Sequence, residues 1–245
     1  MTSQLKSYIK RLLETYVIGT RWNEYRWATM HERNASDWGS HSSQNQESWV
    51  MEYWNSRTHP HRALLVETIA QFSPSTILEI GSHCGPNLYL LAKLLPHAKL
   101  VGTDINKEAV QMGRKLFAKE AMKNVTFLHK KADDLRSFAD KSFDVVFTDA
   151  VLIYIGPDKI TSIAKEMLRV ARKALVLLEW QCKITEADPE GRGIYYGSRW
   201  KRNYRNLFQD LVPKKNITLK KISKEVWPDN NWSTLGNLII IKKPS

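Results

Sequence analysis

The chain has 245 residues, of which 42% are hydrophobic and 25% are charged, and its formal net charge is +12 at pH 7. These values are typical of a globular protein with a full hydrophobic core, and they exclude an intrinsically disordered chain. No apolar run is long enough to span a bilayer, no secretory segment opens the sequence, and Cys84 and Cys182 form no CxxC pair, so we predict a cytoplasmic protein without a disulfide framework.

The first 60 residues contain half of the tryptophans and tyrosines of the chain. Within LKSYIKRLLETYVIG, a helical period places five apolar side chains on one face: Leu5, Ile9, Leu12, Leu13 and Tyr16. We predict that this helix packs on its own domain, and a membrane surface is the alternative. The polar stretch NASDWGSHSSQNQES predicts a loop. Residues 1–60 are thus predicted to form an aromatic-rich helical cap.

From residue 61 to 181, short apolar runs alternate with helical patterns. Strands are predicted at Thr76–Ile80, Lys99–Thr103, Val125–Leu128, Phe143–Phe147 and Ala174–Glu179. Helices are predicted at 87–95, 107–121 and 158–170. This alternation indicates βαβ units and a mostly parallel sheet. Near the end of the chain, ITLKKIS and LGNLIIIKK predict two more strands that pair antiparallel.

The positive charge is concentrated in the last quarter of the chain. Residues 181–245 contain 13 basic and 6 acidic side chains. A basic face attracts nucleic acid, anionic lipid or an anionic small molecule, and charge alone does not choose among them.

The stretch LEIGSHCGPNL, residues 78–88, joins the first predicted strand to a helix. Gly81 and Gly85 let the backbone turn tightly and let a ligand lie close to main-chain N–H groups. Asp104, at the end of the second strand, can accept hydrogen bonds from a ribose diol. No glycine follows Gly85 by three residues, no phosphate-binding Lys-Ser/Thr is present, and Glu79 disfavours a phosphate. A ligand with a ribose and a positively charged tail, such as S-adenosylmethionine, fits this pattern.

Residues 75–180 resemble the class I S-adenosylmethionine-dependent methyltransferases. ILEIGSHCG is similar to the first motif of that family, E/D-x-G-x-G-x-G, with His83 at the middle glycine. KKADDL, SFDVVFTDAVL and EMLRVARKALVLLEW are similar to the segments around its third, fourth and fifth strands. The resemblance implies an α/β, Rossmann-like, doubly wound and mostly parallel seven-stranded sheet. It also implies a methyltransferase domain at 61–245, with a lid insertion at about 181–212 between the fifth and sixth strands.

The resemblance also implies which residues hold S-adenosylmethionine. Glu79 reaches its ammonium mainly through water, Asp104 binds the ribose hydroxyls, and Asp133 meets the adenine amino group, with Asp134 as the register alternative. The bulky His83 is expected to line the cofactor site, and a solvent-facing ring is the alternative. The complete implied set is Glu79, Gly81, Ser82, His83, Gly85, Asn87, Asp104, Ile105, Ala132, Asp133 and Asp149.

The methyl acceptor is less legible, because transfer from a sulfonium needs mostly positioning, and a base only when the acceptor is protonated. Asp149 and Tyr154 are the catalytic candidates. The tip of the fourth strand lacks the Asp/Asn-Pro-Pro-Tyr/Phe motif of amino-methylating DNA enzymes. A Pro-Cys nucleophile for C5 of pyrimidines is also absent from the sequence.

A metal site is not predicted. Asp149, Glu179 and Gln181 lie near strand tips, but ion pairing or cofactor contact explains them better. His59 and His61, two residues apart in THPHR, predict helix entry and packing rather than a metal site.

Three hypotheses for the function remain. In the first, a lid encloses a small or medium-sized acceptor that is methylated on oxygen or nitrogen, with arginines binding an acid group. Its acceptor-lining candidates are Tyr154, Trp180, Tyr195, Tyr196 and Trp200. In the second, the protein methylates RNA, which it binds through Arg199, Lys201, Arg202 and Arg205 beside aromatic rings. In the third, the chain is a non-catalytic scaffold that binds the cofactor or a partner.

Overall fold

A computed structural model describes residues 23–25, 28, 46–183, 188–197 and 199–244. The predicted N-terminal helix, and residues 34–45 of the predicted polar loop, lie outside these ranges, whereas residues 46–48 begin a helix. No helix in the described ranges is both long enough and apolar enough to cross a membrane.

The described residues form nine strands. They are β1 (Thr76–Ile80), β2 (Lys99–Asp104), β3 (Val125–His129), β4 (Phe143–Asp149), β5 (Ala171–Trp180), β6 (Ile194–Tyr196), β7 (Arg199–Lys201), β8 (Ile217–Lys221) and β9 (Gly236–Lys242). Seven of them make one sheet in the order β3-β2-β1-β4-β5-β9-β8. β1 to β5 pair parallel, while β9 pairs antiparallel with both β5 and β8. The predicted fold class and the antiparallel pairing of the last two strands are confirmed.

Helices cover the sheet. The α-helices are α1 (Gln46–Asn55), α2 (Pro60–Ala70), α3 (Pro86–Leu94), α4 (Lys107–Lys119), α5 (Ile160–Val170), α6 (Tyr204–Leu207) and α7 (Asn230–Leu235). Short 3₁₀ turns lie at Ser56–Thr58, Leu152–Tyr154 and Lys214–Asn216. A proline opens α2 and α3, where its missing N–H costs no hydrogen bond. Asn106 caps α4, because its side-chain oxygen accepts hydrogen bonds from Glu108 N and Ala109 N, each at 3.0 Å.

The core lies on both faces of the sheet. All seven residues of β4 are buried, as expected for a central parallel strand that helices cover on both sides. One cluster contains Ile77, Val145 and Val176, and the other contains Leu78 and Val146 from the same strands. β5 begins three residues earlier than predicted, because Ala171 already pairs with Phe143 ahead of an irregularity in the register.

β6 and β7 form a separate two-stranded sheet in the insertion between β5 and β8. Arg202, which follows β7, is fully buried. Its guanidinium donates hydrogen bonds to the carbonyls of Leu152 and Ile155, each at 2.5 Å, and to Arg192 O at 3.2 Å. The insertion is therefore tied to the turn that follows β4.

The strand order reverses between β1 and β4. In parallel sheets, a ligand crevice opens at the carboxyl ends of the strands at such a point. The glycine turn after β1 and the acidic end of β4 meet there, so the fold places the site at this edge.

Candidate functional site

Two cavities lie at this edge of the sheet. The first is bordered by the ends of β1, β2 and β4 and by the segment after β3. The second has a volume of about 310 Å³ and is lined by Ser56, His59, His61, Ala150, Ile153, Tyr154, Trp180, Arg199, Trp227, Pro228, Asp229 and Trp232. Ala150 and Tyr154 belong to both cavities, so the two spaces are neighbours.

The turn after β1 has three residues in the left-handed region: Gly81 (φ 75°), His83 (φ 50°) and Gly85 (φ 87°). A Cβ atom on Gly81 would come within 2.3 Å of Val151, and one on Gly85 within 2.5 Å of Phe127. Gly81 lines the first cavity, whereas Gly85 packs beneath the aromatic core. The two glycines therefore serve close packing as well as the turn itself.

His83 is part of the turn after β1, and its ring packs against α1. Its ring centroid is 4.4 Å from that of Trp49 and 4.2 Å from that of Tyr53. Burial lowers the pKa of His83 to about 3, so the ring is neutral. His83 lines the first cavity and is buried rather than solvent-facing.

Asp104 holds the glycine turn against the end of β2. One carboxylate oxygen accepts a hydrogen bond from His83 N at 2.7 Å, and the other accepts one from Asn106 N at 2.8 Å. Burial raises the pKa of Asp104. Each oxygen keeps a further lone pair, so the carboxylate can still accept bonds from a diol.

Asp133 also lines the first cavity. Its carboxylate is 2.8 Å from Lys159 Nζ. Lys159 also pairs with Glu24, which in turn pairs with Lys131 at 3.0 Å. The alternative residue, Asp134, does not line this cavity and pairs with Lys130 at 2.8 Å.

A buried polar network joins β1, α3, β4 and α2. Asn87 donates to Glu79 Oε1 at 2.7 Å and to Asp149 Oδ2 at 3.0 Å. The fully buried Arg62 donates from Nη1 to Asn87 Oδ1 at 2.9 Å and to Asp149 Oδ2 at 3.0 Å. Two buried carboxylate oxygens, Glu79 Oε2 and Asp149 Oδ1, have no hydrogen-bond partner among the described residues.

The two carboxyls of this network have opposite protonation behaviour. Burial raises the pKa of Glu79 to about 8. Burial also opposes ionisation of Asp149, but His61, Arg62 and Asn87 together hold its pKa well below the usual range. Asp149 is therefore ionised at neutral pH, while Glu79 is largely protonated.

His61 and His59 extend the network into the second cavity. His61 Nε2 is 3.1 Å from Asp149 Oδ2, and His61 Nδ1 is 2.5 Å from His59 Nδ1. The His61 ring stacks on Trp227 at 4.0 Å, and Trp227 stacks on Trp232 at 3.9 Å. The packing role predicted for the THPHR segment therefore does not describe it fully, because its two histidines also extend the polar network. Arg62 was not among the predicted site residues.

The eleven predicted cofactor residues fall into two groups. Those that line the first cavity are Gly81, His83, Asp104, Ile105, Ala132, Asp133 and Asp149. Those that lie behind its wall are Glu79, Ser82, Gly85 and Asn87.

The first cavity fits S-adenosylmethionine. Ile80, Ile105 and Ile163 supply apolar surface for a flat base, and Asp104 supplies acceptors for a ribose. The unpartnered Oδ1 of the ionised Asp149, which lines this cavity, is a buried acceptor of the kind that an ammonium requires.

The predicted acceptor residues do not all meet. Tyr154 and Trp180 line the second cavity. Trp200 is buried against Tyr195 at 5.0 Å, and Tyr196 is 47% exposed. These three line neither cavity, because Tyr195 and Trp200 pack on each other and Tyr196 packs behind Trp180 at 6.3 Å.

Glu179 and Gln181 lie at the carboxyl end of β5, where a metal ligand was considered. Both side chains make other hydrogen bonds. Glu179 accepts hydrogen bonds from Thr148 Oγ1 at 2.7 Å and from three consecutive N–H groups of residues 151–153 at 3.0 to 3.2 Å. Gln181 accepts a bond from Tyr204 N at 3.0 Å. The part of the chain that is described contains no group of three or more metal-ligating side chains.

Comparison with known proteins identifies the central domain. Residues 77–174 match a family model described as a methyltransferase domain. A curated relative, chondramide synthase cmdD of Chondromyces crocatus, is 27% identical over 163 residues, which are 60% of this chain and 4% of that protein. The chain thus spans a small fraction of the length of this relative.

Solved structures share the fold. The plantazolicin methyltransferase BpumL in complex with S-adenosylhomocysteine has a TM-score of 0.58 and 16% identity, over 99% of this chain and 100% of that chain. Magnesium protoporphyrin IX methyltransferase from Synechocystis PCC 6803, with bound S-adenosylmethionine, has a TM-score of 0.54 and 12% identity, over 97% and 96%. Residues 77–174 thus match a methyltransferase domain, and the described part of the chain has the fold of these S-adenosylmethionine-dependent enzymes.

Proposed function

We propose that this protein transfers a methyl group from S-adenosylmethionine to an oxygen or nitrogen of a small or medium-sized acceptor, and that the acceptor carries an acid group. The observation that supports this most is the second cavity, which adjoins the cofactor cavity at Ala150 and Tyr154. When bound, S-adenosylmethionine supplies an electrophilic methyl group on a sulfonium. The protein contributes position, exclusion of water and an acceptor site.

The walls of the second cavity favour a flat organic acceptor. Trp227 and Trp232 are stacked within 7° of parallel, and Trp180 packs edge-on against Trp232 at 6.0 Å. Aromatic walls bury apolar surface and bind rings by stacking or edge contacts. The volume of about 310 Å³ is within the range of small-molecule pockets.

One cationic side chain among those that line the second cavity supports an anionic acceptor. Arg199 lies over the rings of Trp180 at 5.3 Å and Tyr154 at 5.8 Å, and its Nε donates to Tyr154 Oη at 3.3 Å. A guanidinium is planar and matches the geometry of a carboxylate. Asp229 also lines this cavity, but its Oδ1 accepts a bond from Trp232 N at 2.9 Å.

RNA methylation is the second candidate function, and the basic last quarter of the chain favours it. Of the four basic side chains expected to contact RNA, however, Arg202 is fully buried and bonds to main-chain carbonyls. Arg199 faces the second cavity. Only Lys201 and Arg205 remain for phosphate contacts in this segment, so we rank RNA below a small acceptor.

The residues 1–60 cap and the lid at about 181–212 also remain proposals. The contacts of Trp49 and Tyr53 with His83 are consistent with a cap over the cofactor cavity. The hydrogen bonds of Arg202 are consistent with a lid that moves together with the turn after β4. The cytoplasmic location stays a prediction from the cysteine count.

The test has two steps. Titration calorimetry first measures binding of S-adenosylmethionine, and absence of binding at millimolar cofactor would refute the assignment of the first cavity. Methyl-labelled S-adenosylmethionine is then incubated with cell extract that has been separated into dialysable molecules, RNA and protein. We expect label in the dialysable fraction. Label that enters only RNA, with RNA binding that weakens steeply with salt, would instead support the second candidate.

A matched variant checks the acceptor cavity. In Trp227→Ala, we expect label transfer to fall at least tenfold while S-adenosylmethionine binds as in the wild type, since Trp227 lines only the second cavity. Leu94→Ala is the control, because Leu94 is an exposed apolar side chain outside both cavities. Equal losses in both variants would contradict this acceptor site.

A further inference from the structure

The segment His59-Pro60-His61 brings two imidazoles to the wall of the second cavity. Pro60 opens α2 and keeps the preceding residue extended, so His59 has φ −67° and ψ 132° and stands outside the helix. His61 lies in the first turn of the helix. The two rings therefore face each other, with 2.5 Å between their Nδ1 atoms, and both line the second cavity.

The partners of His61 define its tautomer. Asp149 is ionised, so it can only accept, and His61 Nε2 must donate to its Oδ2 across 3.1 Å. Burial lowers the pKa of His61, which leaves the ring neutral with a single proton. That proton is on Nε2, and Nδ1 therefore carries a lone pair.

The tautomer of His59 follows from that of His61. Because His61 Nδ1 is an acceptor, His59 Nδ1 must carry the proton that lies between the two rings. Burial, and then the neighbouring His61 and Arg62, lower the pKa of His59 to about 4, so this ring is also neutral. Its Nε2 is left with a lone pair, on a half-buried side chain that lines the second cavity.

We propose that His59 is the general base of the methyl transfer and that His61 and Asp149 position it. The acceptor is therefore a hydroxyl or an amine that loses a proton during the transfer. This inference rests on the proposed function. The acceptor atom bonds to the methyl carbon, its proton passes to His59 Nε2, and the carbon–sulfur electron pair stays on the sulfur. The products are the methylated acceptor, S-adenosylhomocysteine and a protonated His59, whose charge the carboxylate of Asp149 favours.

The first test needs no acceptor. In protein with ¹⁵N-labelled histidine, nitrogen–proton correlation spectra at pH 7 report the tautomer of each ring. We expect the Nδ1–H form of His59 and the Nε2–H form of His61, and Asp149→Asn should remove the preference of His61. The Nε2–H form of His59 in the wild type would overturn the proposal. Other charged groups that line this cavity are Arg199 and Asp229, so the spectra are also recorded in Arg199→Gln.

The second test uses the dialysable fraction that accepts label from S-adenosylmethionine. His59→Gly should lower kcat by about 10²- to 10⁴-fold, the range for loss of a general base, with S-adenosylmethionine affinity unchanged. Added imidazole should restore part of kcat, whereas pyrrole, which has no basic nitrogen, should not. His97→Gly is the control, since His97 is an exposed histidine outside both cavities. His59→Gln covers the case in which the glycine variant does not fold.

The outcomes separate the base from the function. If the wild type binds S-adenosylmethionine and transfers label, but His59→Gly and His59→Gln keep kcat, His59 is not the base and the proposed function stands. Rescue by pyrrole as well as by imidazole would likewise assign His59 a space-filling role and overturn the proposal. If the wild type neither binds the cofactor nor transfers label, the proposed function fails and the base assignment fails with it.

Discussion

Replacement of Arg62 by methionine should be among the most destabilising single changes in this site. The guanidinium is fully buried and donates four hydrogen bonds of 2.8 to 3.1 Å, to Ser56 O, Ser56 Oγ, Asn87 and Asp149. Methionine keeps most of the apolar stem but leaves the Asp149 charge without its cation. Breaking a buried ion pair on one side costs about 3–5 kcal/mol. Because His61 and Asn87 still donate to Asp149 Oδ2, we expect the lower end, about 3 kcal/mol.

The loss should depend on pH. Arg62 helps to hold the pKa of Asp149 below its usual range, so the stability from ionised Asp149 is present above that range and lost as pH falls. In Arg62→Met the pKa of Asp149 rises, and protonation then removes the uncompensated charge. The difference in unfolding free energy between variant and wild type should therefore be larger at pH 7 than at pH 4.5.

Urea denaturation followed by circular dichroism measures this difference. Arg192→Met is the control, because Arg192 pairs with Glu190 and the two side chains are 49% and 60% exposed, and such pairs contribute about 1 kcal/mol or less. In the double variant Arg62→Met/Asp149→Asn, the loss should be smaller than the sum of the single losses by about 1 kcal/mol or more. A loss below about 1 kcal/mol for Arg62→Met, with no pH dependence, would refute the reasoning.

Three further changes test other parts of the site. Burial raises the pKa of Glu79 to about 8, so binding of a cationic ammonium at pH 7 should ionise it; calorimetry in buffers of different ionisation enthalpy should show proton release in the wild type and none in Glu79→Gln. His83→Gly should fold, since glycine accepts a φ of 50°, but its S-adenosylmethionine Kd should change about threefold or more, and an unchanged Kd would mean that the ring does not line the cofactor site. Arg202→Met leaves the buried carbonyls of Leu152 and Ile155 without a donor and should lower the unfolding free energy by about 2–4 kcal/mol, whereas the exposed Arg205→Met should change it by about 0.5 kcal/mol or less.

The sheet and the cofactor cavity could be predicted from sequence because their signals are local. Buried parallel strands are continuous apolar runs, and the turn after β1 needs glycine where φ is positive. Glu79 lies next to the last residue of β1, and Asp104 is the last residue of β2. The parallel order of these strands places both at the carboxyl edge of the sheet. Periodicity and turn chemistry, both readable within a few residues, therefore fixed most of this half of the site.

The second cavity depends on contacts between distant segments, which composition does not report. In the sequence, Arg62 resembles any charged residue of a helix. It is fully buried in the structure because Asp149 of β4 and Asn87 of α3 accept its hydrogen bonds. Tyr195 and Trp200 read as pocket aromatics but pack on each other within a hairpin. One sequence signal could have indicated the histidine pair. Pro60 keeps His59 extended ahead of α2, and His61 follows in the first turn, so the two rings can meet.

The stack of Trp232, Trp227 and His61 gives the second cavity an optical signature. Two indoles that lie 3.9 Å apart and nearly parallel couple electronically, so they should give a strong near-ultraviolet circular dichroism band that isolated tryptophans lack. The His61 ring stacks on Trp227. Protonation of His61, or its displacement by a bound acceptor, should therefore change this band and the tryptophan emission. The cavity can therefore be screened for ligands by spectroscopy on the unlabelled wild-type protein, before any product of the reaction has been identified.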